Sequence, residues 1–386
     1  MFRKPRLIAG VMSGTSADGV DVAICQLHAT DHPEWGRLHS HSSHPYPAAL
    51  KKHIHALRRD GNTTLADLAA LTRDITIEHA HAVRLAAEDA NLPLRQLDAI
   101  ADHGQTLFHA PPLTSQVLDP SLLAWELGVA VVSDFRRADL AAGGQGAPLV
   151  PFADRRLFSH PGRTRALLNL GGIANVTVLP PGAGPLTPVH AFDIGPANCL
   201  SDHLARSHHP DGPGFDSGGA VAARGSADER MVAAFLSYPF FRAPAPKSTD
   251  GPEMVDAFIA VGAMKLSYEN ALATAAACTA RAVFNAIELL EVDEVILSGG
   301  GLHNLAVIRE LSRLLGEIPL RTTTELGVPS EAKEALAFAL LGNATLDNMP
   351  SNVPSATGAT SAVVLGSVTP RPLAVHATPN GATGLP

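Results

Sequence analysis

The apolar and polar positions near the start of the chain follow a pattern typical of a β-hairpin. Two runs rich in apolar and β-branched residues, Leu7–Met12 and Val20–Leu27, flank the polar segment 13–19, which contains Gly14 and Gly19. Glycine permits backbone conformations that other residues avoid, and it leaves room for an anion. The hairpin therefore has the form of a phosphate cradle, although an ordinary hairpin with a polar turn explains the same pattern.

Four polar residues in or beside this turn carry possible chemistry. Thr15 and Ser16 offer hydroxyl and amide donors, whereas Asp18 and Asp21 could orient a water molecule or bind Mg²⁺. The turn is thus a candidate site for a phosphate and its metal ion.

The next part of the chain alternates between helical and extended patterns. Apolar spacing predicts helices over Ala48–Arg59 and Thr64–Asn91, while 28–47 is expected to be a loop or an irregular edge strand. A short buried strand is predicted at Leu97–Ala101, followed directly by the polar segment 102–106. Polar residues after the carboxyl end of a strand often contact ligands in α/β proteins.

His103 and His109 follow that strand, and each could be a capping or core histidine instead of a ligand contact. Further on, a helix over Leu122–Leu127 and a strand over Val129–Ser133 are predicted. The glycine- and proline-rich segment Ala141–Pro151 cannot be regular structure and is expected to be a hinge or a close approach to a ligand. We place a domain boundary near it.

The second half repeats the opening theme. Strands are predicted at Ala166–Leu170 and Val176–Leu179, around the turn 171–175 with its paired glycines. Two glycine hairpins, one in each half, indicate two related domains. Asp193 is predicted to stand at the end of a strand, Pro188–Phe192, where it could meet a ligand or simply cap the following helix.

A third glycine segment follows a long helix predicted over Leu266–Leu290. The apolar strand Glu294–Ser298 leads into Gly299–Gly301, and a helix is predicted from about Asn304. Bare backbone at the positive end of a helix dipole suits a nucleotide. A last helix is predicted over 330–347, and residues beyond about 370 are expected to be disordered.

Composition excludes several classes of protein. The chain has 386 residues, 46% of them hydrophobic and 17% charged, with a formal charge of −8, which argues against a nucleic-acid surface. No apolar run is long enough to cross a membrane. Three distant cysteines suit a reducing compartment, and we expect a cytoplasmic protein. The 18 histidines are scattered without zinc-ligand spacing, and no P-loop or Rossmann fingerprint occurs.

Nine motifs, in register from about residue 8 to 370, resemble those of the anhydro-N-acetylmuramic acid kinases. They are GVMSGTSADGVDVAI (10–24), DHGQTLFH (102–109), DFRRADLAAGGQGAPLVP (134–151), LNLGGIANVT (168–177), FDIGPAN (192–198), PKST (246–249), LSGGGLHN (297–304), ELGVPSEAKEALAFALL (325–341) and PSATGA (354–359). Their order, two hairpin phosphate loops, an Asp near a strand end and a triple-glycine loop, resembles that of actin-like and hexokinase-like ATPases.

The resemblance implies an α/β fold of two actin-like (ribonuclease H-like) domains flanking a nucleotide cleft. The limits we expect are 1–133 with 345–386 for domain I and 134–344 for domain II. It also implies that ATP and Mg²⁺ are used to phosphorylate O6 of 1,6-anhydro-N-acetylmuramic acid while the 1,6-anhydro bond is hydrolysed, in peptidoglycan recycling. A homodimer is implied as well, with no nucleic-acid or membrane partner.

The resemblance assigns roles to particular residues. Asp193 is the expected catalytic base, and Asp21 the expected metal ligand. The residues expected to bind ATP are Gly14, Thr15, Ser16, Ala17, Asp18, Gly19, Val20, Asp21, Gly171, Gly172, Asn175, Gly299, Gly300, Gly301 and Asn304. Those expected to contact the sugar are Gln105, Thr106, His109, Arg136, Asp139 and Glu334. Arg136 is the natural partner of the lactyl carboxylate, although it could instead pair with Asp139.

Two departures from the family pattern bear on substrate fit. The usual DTGPGN reads Asp193-Ile194-Gly195-Pro196-Ala197-Asn198, and the usual GRE after PKST reads Asp250-Gly251-Pro252. Two other functions therefore stay in view: a kinase acting on levoglucosan, and a non-catalytic actin-like ATP-binding module. Arg136 favours the muramic sugar over levoglucosan, and Asp193 favours chemistry over binding alone.

Overall fold

The computed structural model describes residues 4–14, 16–184, 187–245 and 247–372. The strands are β1 Arg6–Ser13, β2 Gly19–Leu27, β3 Gly36–Pro45, β4 Ala99–Ala110, β5 Leu113–Val117, β6 Val131–Ser133, β7 Arg165–Leu170, β8 Ile173–Leu179, β9 His190–Pro196, β10 Glu294–Ser298, β11 Leu320–Thr322 and β12 Ser367–Thr369. The helices are α1 Ala48–Asp60, α2 Leu65–Asp89, α3 Pro120–Leu127, α4 Arg137–Ala141, α5 Val150–Phe158, α6 Asn198–His208, α7 Glu229–Leu236, α8 Pro239–Arg242, α9 Gly251–Ala260, α10 Tyr268–Glu288, α11 Leu305–Leu315, α12 Lys333–Leu346 and α13 Pro354–Thr357.

The chain divides into two compact units. Unit 1 contains the described residues of Met1–Gly146, Glu334–Asn352 and Ala359–Pro386, and unit 2 contains those of Ala147–Lys333 and Val353–Gly358. In this division 134–146 and 334–344 lie in unit 1, whereas the sequence-based limits put them in domain II, and 353–358 lie in unit 2, whereas those limits put them in domain I. Local hydrogen bonds give a reason, because Asp139 accepts from the Gly146 amide and from Asn352.

Unit 1 is built on one mixed sheet with the strand order β12-β6-β4-β1-β2-β3 and β5 paired to β4. The first three strands form an antiparallel meander, and β4 and β6 continue parallel to β1. Alternate residues of β2, Val20, Val22 and Ile24, face a core that includes Ile75 and Val83 of α2. Thr64 caps α2 by accepting the amide of Asp67.

Unit 2 repeats this topology. Its sheet has the order β11-β10-β7-β8-β9, in which β7, β8 and β9 are an antiparallel meander and β10 and β11 run parallel to β7. Helix α10 is rich in alanine and packs closely on the sheet and on α6 and α11. The prediction of two related α/β domains is confirmed. No helix of the described ranges is long and apolar enough to span a membrane.

Most predicted elements are present, with instructive shifts in their limits. Segment 28–47 does contain an edge strand, β3. One predicted strand end and one predicted turn are wrong in extent: β4 does not end at Ala101 but continues through the polar segment 102–106 to Ala110, and the turn predicted over 171–175 is shorter, since only Gly171 and Gly172 separate β7 from β8. The last helix begins at Lys333 after a 3-10 turn over Ser330–Ala332. The tail predicted to be disordered lies, from 373 onward, outside the described residues.

The position of Asp193 also differs from the prediction. It lies inside β9, opposite Asn175 of β8, and not at the end of a strand. Polar residues occur inside β4 and β9 because their hydrogen bonds are satisfied within the protein, so the period of hydrophobic residues alone ends each strand too early.

Candidate active site

The turn between β1 and β2 is restrained by its own backbone and by β4. The Ala17 amide donates to the Gly14 carbonyl at 3.1 Å, and the Ser13 hydroxyl donates to the Gly19 carbonyl at 2.8 Å. Ala17 is fully buried with a positive φ of 50°, and Val20 belongs to the core. Thr15 lies outside the described residues.

The glycines of this turn differ in what surrounds them. A Cβ on Gly19 would lie 2.2 Å from the His44 carbonyl oxygen, so the packing of β3 requires glycine there. A Cβ on Gly14 would meet only Ser16 Oγ, at 3.9 Å. Apart from the chain neighbours of Gly14, no other described residue therefore approaches this position closely, which fits the close approach of a phosphate to backbone.

The two carboxylates of this hairpin have different surroundings. Asp18 is largely exposed and pairs with Lys51. Burial raises the pKa of Asp18, but hydrogen bonds from Lys51 and Ser16 outweigh it and leave the pKa below its ordinary value. Asp21 is half-buried in β2 and accepts a hydrogen bond from Ser43. In the described ranges no three His, Cys, Asp or Glu side chains cluster as metal ligands.

A second polar group of unit 1 surrounds Arg136. Its Nε donates to His103 Nε2 at 3.1 Å and its Nη1 donates to the Gly146 carbonyl at 2.7 Å. Burial lowers the pKa of Arg136 to about 10, and the charge of Glu334 acts in the opposite direction. Burial and the Arg136 charge also lower the pKa values of His103 and His109, so both rings are neutral at pH 7.

The other predicted sugar contacts of unit 1 are engaged inside the protein to different extents. Asp139 is fully buried and accepts from the Gly146 amide at 2.7 Å and from Asn352 at 2.8 Å. Gln105 is also fully buried and is bonded to Ser13 and Gly14. Thr106, which is nearly buried, accepts from Gln116. The structure thus brings His109 and Arg136 together at Gly146, with Glu334 near enough for its charge to act on Arg136. It places Gln105 beside the β1–β2 turn.

Asp193 has the surroundings of a base in unit 2. Its backbone amide donates to the Lys247 carbonyl at 3.0 Å, and its Oδ2 accepts from the Thr249 amide at 3.1 Å. Burial raises the pKa of Asp193, and the Thr249 hydrogen bond offsets part of the shift. A half-buried carboxylate with a raised pKa, next to Asn175 across the β8–β9 pair, is suited to accept a proton.

The glycine segments of unit 2 also divide into two kinds. A Cβ on Gly172 would meet no atom of the described residues within 4 Å, and one on Gly171 or Gly300 would meet only atoms at ordinary distances. By contrast, Gly299 has a φ of 87° and a Cβ there would lie 2.8 Å from Leu170 backbone. A Cβ on Gly301 would lie 2.6 Å from Leu170 Cβ, so the packing of Leu170 requires glycine there as well. Gly171, Gly172 and Gly300 therefore leave space for a ligand, whereas the other two permit packing.

Asn304 and the two departures from the family pattern have local explanations. The Asn304 side chain caps α11 by accepting the Val307 amide at 3.3 Å. Ile194 is buried in the core of unit 2, at a bulge beside Asp193 where the register of β8 and β9 shifts. Asp250 caps α9, accepting the Glu253 amide at 2.8 Å. The fold therefore accommodates Ile194 and Asp250.

Sequence analysis missed a cavity of about 650 Å³ in unit 2. Its wall includes Tyr268, whose ring stacks on His208 at 4.5 Å and meets His209 at 5.2 Å. The segment Ser217–Gly219 connects this wall to Asn304. A Cβ on Gly219 would lie 2.4 Å from Oδ1 of Asn304, so the two residues are in close contact. Two adjacent histidines before a Gly/Pro-rich segment were the sequence feature that could have indicated it.

The duplicated topology defines the class of protein, an α/β protein of two related domains, each with an antiparallel meander followed by parallel strands. Residues 6–371 match the family described as anhydro-N-acetylmuramic acid kinase. The protein of that name from Salinibacter ruber is 41% identical over 386 residues, covering 95% of this chain and 96% of the relative. That from Bacillus cereus strain B4264 is 37% identical over 385 residues, covering 95% and 98%. The chain belongs to the anhydro-N-acetylmuramic acid kinase family.

Proposed function

We propose that this kinase transfers the γ-phosphoryl group of ATP to O6 of 1,6-anhydro-N-acetylmuramic acid and hydrolyses the 1,6-anhydro bond, giving N-acetylmuramic acid 6-phosphate and ADP. The observation that carries the proposal is Asp193, a carboxylate with a raised pKa that the Thr249 amide restrains. Family membership over residues 6–371 supplies the substrate.

The chemistry balances in one sequence of bond changes. Asp193 accepts a proton from a water molecule, whose oxygen forms a bond to C1 of the sugar while the C1–O6 bond breaks. The released O6 forms a bond to the γ-phosphorus, and the bond from phosphorus to the β,γ-bridging oxygen breaks to release ADP. Asp193 acts like the base of an inverting glycosidase, and the phosphorus electrophile replaces the general acid.

The nucleotide would be bound mainly by backbone. We propose that the segments Gly14–Asp21 in unit 1 and Gly171–Asn175 in unit 2 contact phosphates, because open space lies beside Gly14, Gly171 and Gly172. The adenosine would lie along Gly299–Gly301, with its base in the cavity beside Tyr268. Asn304 then contributes by capping α11, next to the triple glycine.

Magnesium fits this arrangement with a single protein carboxylate. Mg²⁺ is commonly bound through one or two carboxylates together with substrate phosphates and water, so a larger acidic cluster is not required. Asp21 is the proposed ligand, and Asp18 is paired with Lys51. When bound, Mg²⁺ neutralises charge on the transferring phosphoryl group.

The sugar would be recognised by the group around Arg136. Nε and Nη1 of this side chain donate within the protein, so we propose that Nη2 meets the lactyl carboxylate. His109 and Glu334 would contact sugar hydroxyl and acetamido groups. Levoglucosan has no carboxylate for Arg136, which makes it the weaker candidate.

The test is a coupled ADP-release assay with MgATP and either 1,6-anhydro-N-acetylmuramic acid or levoglucosan. We expect turnover with the muramic sugar and at most traces with levoglucosan, and NMR of the product should show phosphate on O6 and a free anomeric hydroxyl. Equal turnover with levoglucosan would contradict the assigned substrate. If the protein bound ATP but neither sugar stimulated ADP release, the result would instead support a non-catalytic ATP-binding module.

We further propose that the enzyme is cytoplasmic and homodimeric, as the family resemblance implies, and acts in cell-wall recycling. Its substrate carries only one charge and is a small sugar, so no nucleic-acid or membrane partner is needed. Light scattering of the purified protein should give the mass of two 40.2 kDa chains, and a monomeric mass would contradict the dimer.

A further inference from the structure

The side chain of Gln105 forms hydrogen bonds with residues at the start of the β1–β2 turn. Its Oε1 accepts from the Ser13 hydroxyl at 2.7 Å, and its Nε2 donates to the Gly14 carbonyl at 3.1 Å. Nε2 also lies 3.3 Å from the Thr106 carbonyl oxygen. Ser13 ends β1 and Gly14 opens the turn, so one fully buried amide contacts both residues at the point where the chain leaves the sheet.

An irregularity in the sheet brings Gln105 to this position. The parallel pairing of β1 with β4 shifts register between Val11 and Ser13, after which Ser13 is the partner of Gln105. Gly104, just before it, has a φ of 72°, and a Cβ there would lie 2.9 Å from the Val117 carbonyl oxygen. The shift places the Gln105 side chain beside the turn, and only glycine at position 104 allows the backbone to do so.

A buried chain of polar side chains holds the backbone just before Gln105. Both carboxylate oxygens of Asp102 lie within 3.0 Å of His79 Nδ1, and the Gly104 amide donates to Asp102 at 2.7 Å. His79 Nε2 in turn lies 2.7 Å from the Tyr46 hydroxyl.

The His79 ring joins this chain, with Nδ1 on the Asp102 carboxylate and Nε2 on the Tyr46 hydroxyl. The single hydroxyl proton of Ser13 lies within reach of two acceptors, Gln105 Oε1 at 2.7 Å and the Gly19 carbonyl at 2.8 Å. Ser13 is thereby oriented by Gln105 on one side and by the turn itself on the other.

We propose that Gln105 is a positioning residue for the phosphate turn and not a contact of the sugar, with Asp102, His79 and Tyr46 supporting the neighbouring backbone at Gly104. Backbone that is held in place before the nucleotide arrives, as Gln105 holds Ser13 and Gly14, binds it with a smaller loss of conformational entropy. The inference rests on the proposed function, since it takes the turn as a phosphate site.

The decisive variant is Gln105→Met, which keeps the volume of the side chain and removes both bonds to the turn. We expect the Kd of a non-hydrolysable ATP analogue, measured by calorimetry with Mg²⁺, to rise about tenfold or more, and KM for ATP with it. KM for 1,6-anhydro-N-acetylmuramic acid should change less than twofold. Tyr46→Phe should raise the Kd of the analogue in the same direction by a smaller factor.

Asn343→Leu is the matched control for lost stability. Asn343 is a nearly buried amide of the same unit that bonds Arg6 and the His28 carbonyl, each at 2.8 Å, and it does not contact the turn. Its substitution should lower the melting temperature about as much as Gln105→Met and leave the Kd of the analogue unchanged.

Three results would overturn the inference. A rise in KM for the sugar alone would make Gln105 a sugar contact, and an equal rise in analogue Kd for Asn343→Leu would reduce the effect to stability. An unchanged Kd in Gln105→Met would show that the turn does not depend on this side chain. Failure of the proposed function would be distinguishable from failure of this inference. If the wild-type protein bound the analogue but phosphorylated neither sugar, the proposed reaction would be contradicted. The comparison of Kd values between the variants would still test the role of Gln105.

Discussion

The backbone amide of Thr249 donates to Oδ2 of Asp193 at 3.1 Å, while the Thr249 hydroxyl donates to Glu253 Oε2 at 2.6 Å. The same loop accepts the Asp193 amide at the Lys247 carbonyl. The loop after α8 therefore fixes both the backbone and the carboxylate of Asp193, and Glu253 fixes the loop. This arrangement orients one carboxylate oxygen inward and leaves the other for a proton from water.

Asp193→Asn should abolish the chemistry and spare nucleotide binding. An amide cannot accept the proton from water as a carboxylate does, and the loss of a general base typically lowers kcat by about 10²–10⁴-fold. We expect the Kd of a non-hydrolysable ATP analogue to change less than twofold. The measurement is steady-state ADP release beside calorimetry.

Asp202→Asn is the matched control for that variant. Asp202 lies on α6 in the same unit, and burial raises its pKa as it does that of Asp193. The kcat of the Asp202→Asn variant should stay within twofold of the wild-type value. If Asp193→Asn kept more than a tenth of wild-type kcat, Asp193 could not be the base.

The acid side of the pH–rate profile should report the raised pKa of Asp193. Burial raises this pKa above the ordinary 3.8 despite the Thr249 hydrogen bond. The base works only when deprotonated, so kcat/KM for the sugar should be constant well above the raised pKa and fall as the pH drops through it. An acid limb with an apparent pKa at or below 3.8, measured where the protein remains folded by circular dichroism, would contradict the assignment.

Two glycine substitutions in unit 2 should separate binding from stability. In the part of the chain that the structure describes, a Cβ at Gly172 meets no atom within 4 Å, so Gly172→Ala should hardly move the melting temperature. If a phosphate occupies that space, the added methyl group should weaken ATP binding about tenfold, as overpacking by one methyl group does elsewhere.

Gly299→Ala should have the opposite effect: a lower melting temperature, with less effect on ATP binding. Its φ of 87° is strained for alanine, and the Cβ would lie 2.6 Å from Asn169 Oδ1. Strain of about 1–3 kcal/mol corresponds to a fall of about 2–10 °C in melting temperature for a domain of this size. Differential scanning fluorimetry with and without MgATP measures both variants, and equal behaviour of the two would contradict the distinction between ligand and packing glycines.

The sequence predicted the elements around the site better than the site itself. Hairpins, helices and the strand before Gly299 follow from hydrophobic period and glycine position, which are local properties. Asp193 was placed at the end of a strand because polar residues interrupt the apolar pattern there. Its strand continues because the β8 backbone pairs with it, a contact between distant segments that no local pattern shows.

The role of the Gln105 side chain could not be predicted from the sequence for the same reason. The resemblance assigned it to the sugar along with its neighbours, since residues of one motif are assigned together. A register shift beside Gly104 is what turns its amide to Ser13 and Gly14. That shift depends on the pairing of β1 with β4, residues about 90 positions apart in the chain, and no periodicity indicates it.

Tyr268→Ala should weaken ATP binding if the adenine base occupies the cavity of unit 2. Tyr268 lies in the cavity wall with its ring stacked on His208. Stacking of a base on an aromatic side chain is worth about 1–3 kcal/mol, so KM for ATP should rise about 5- to 150-fold, with KM for the sugar unchanged. Tyr268→Phe keeps the ring and should behave as wild type within about twofold. A loss of affinity shared by both variants would assign the effect to the hydroxyl, and unchanged KM in both would place the base elsewhere than this cavity.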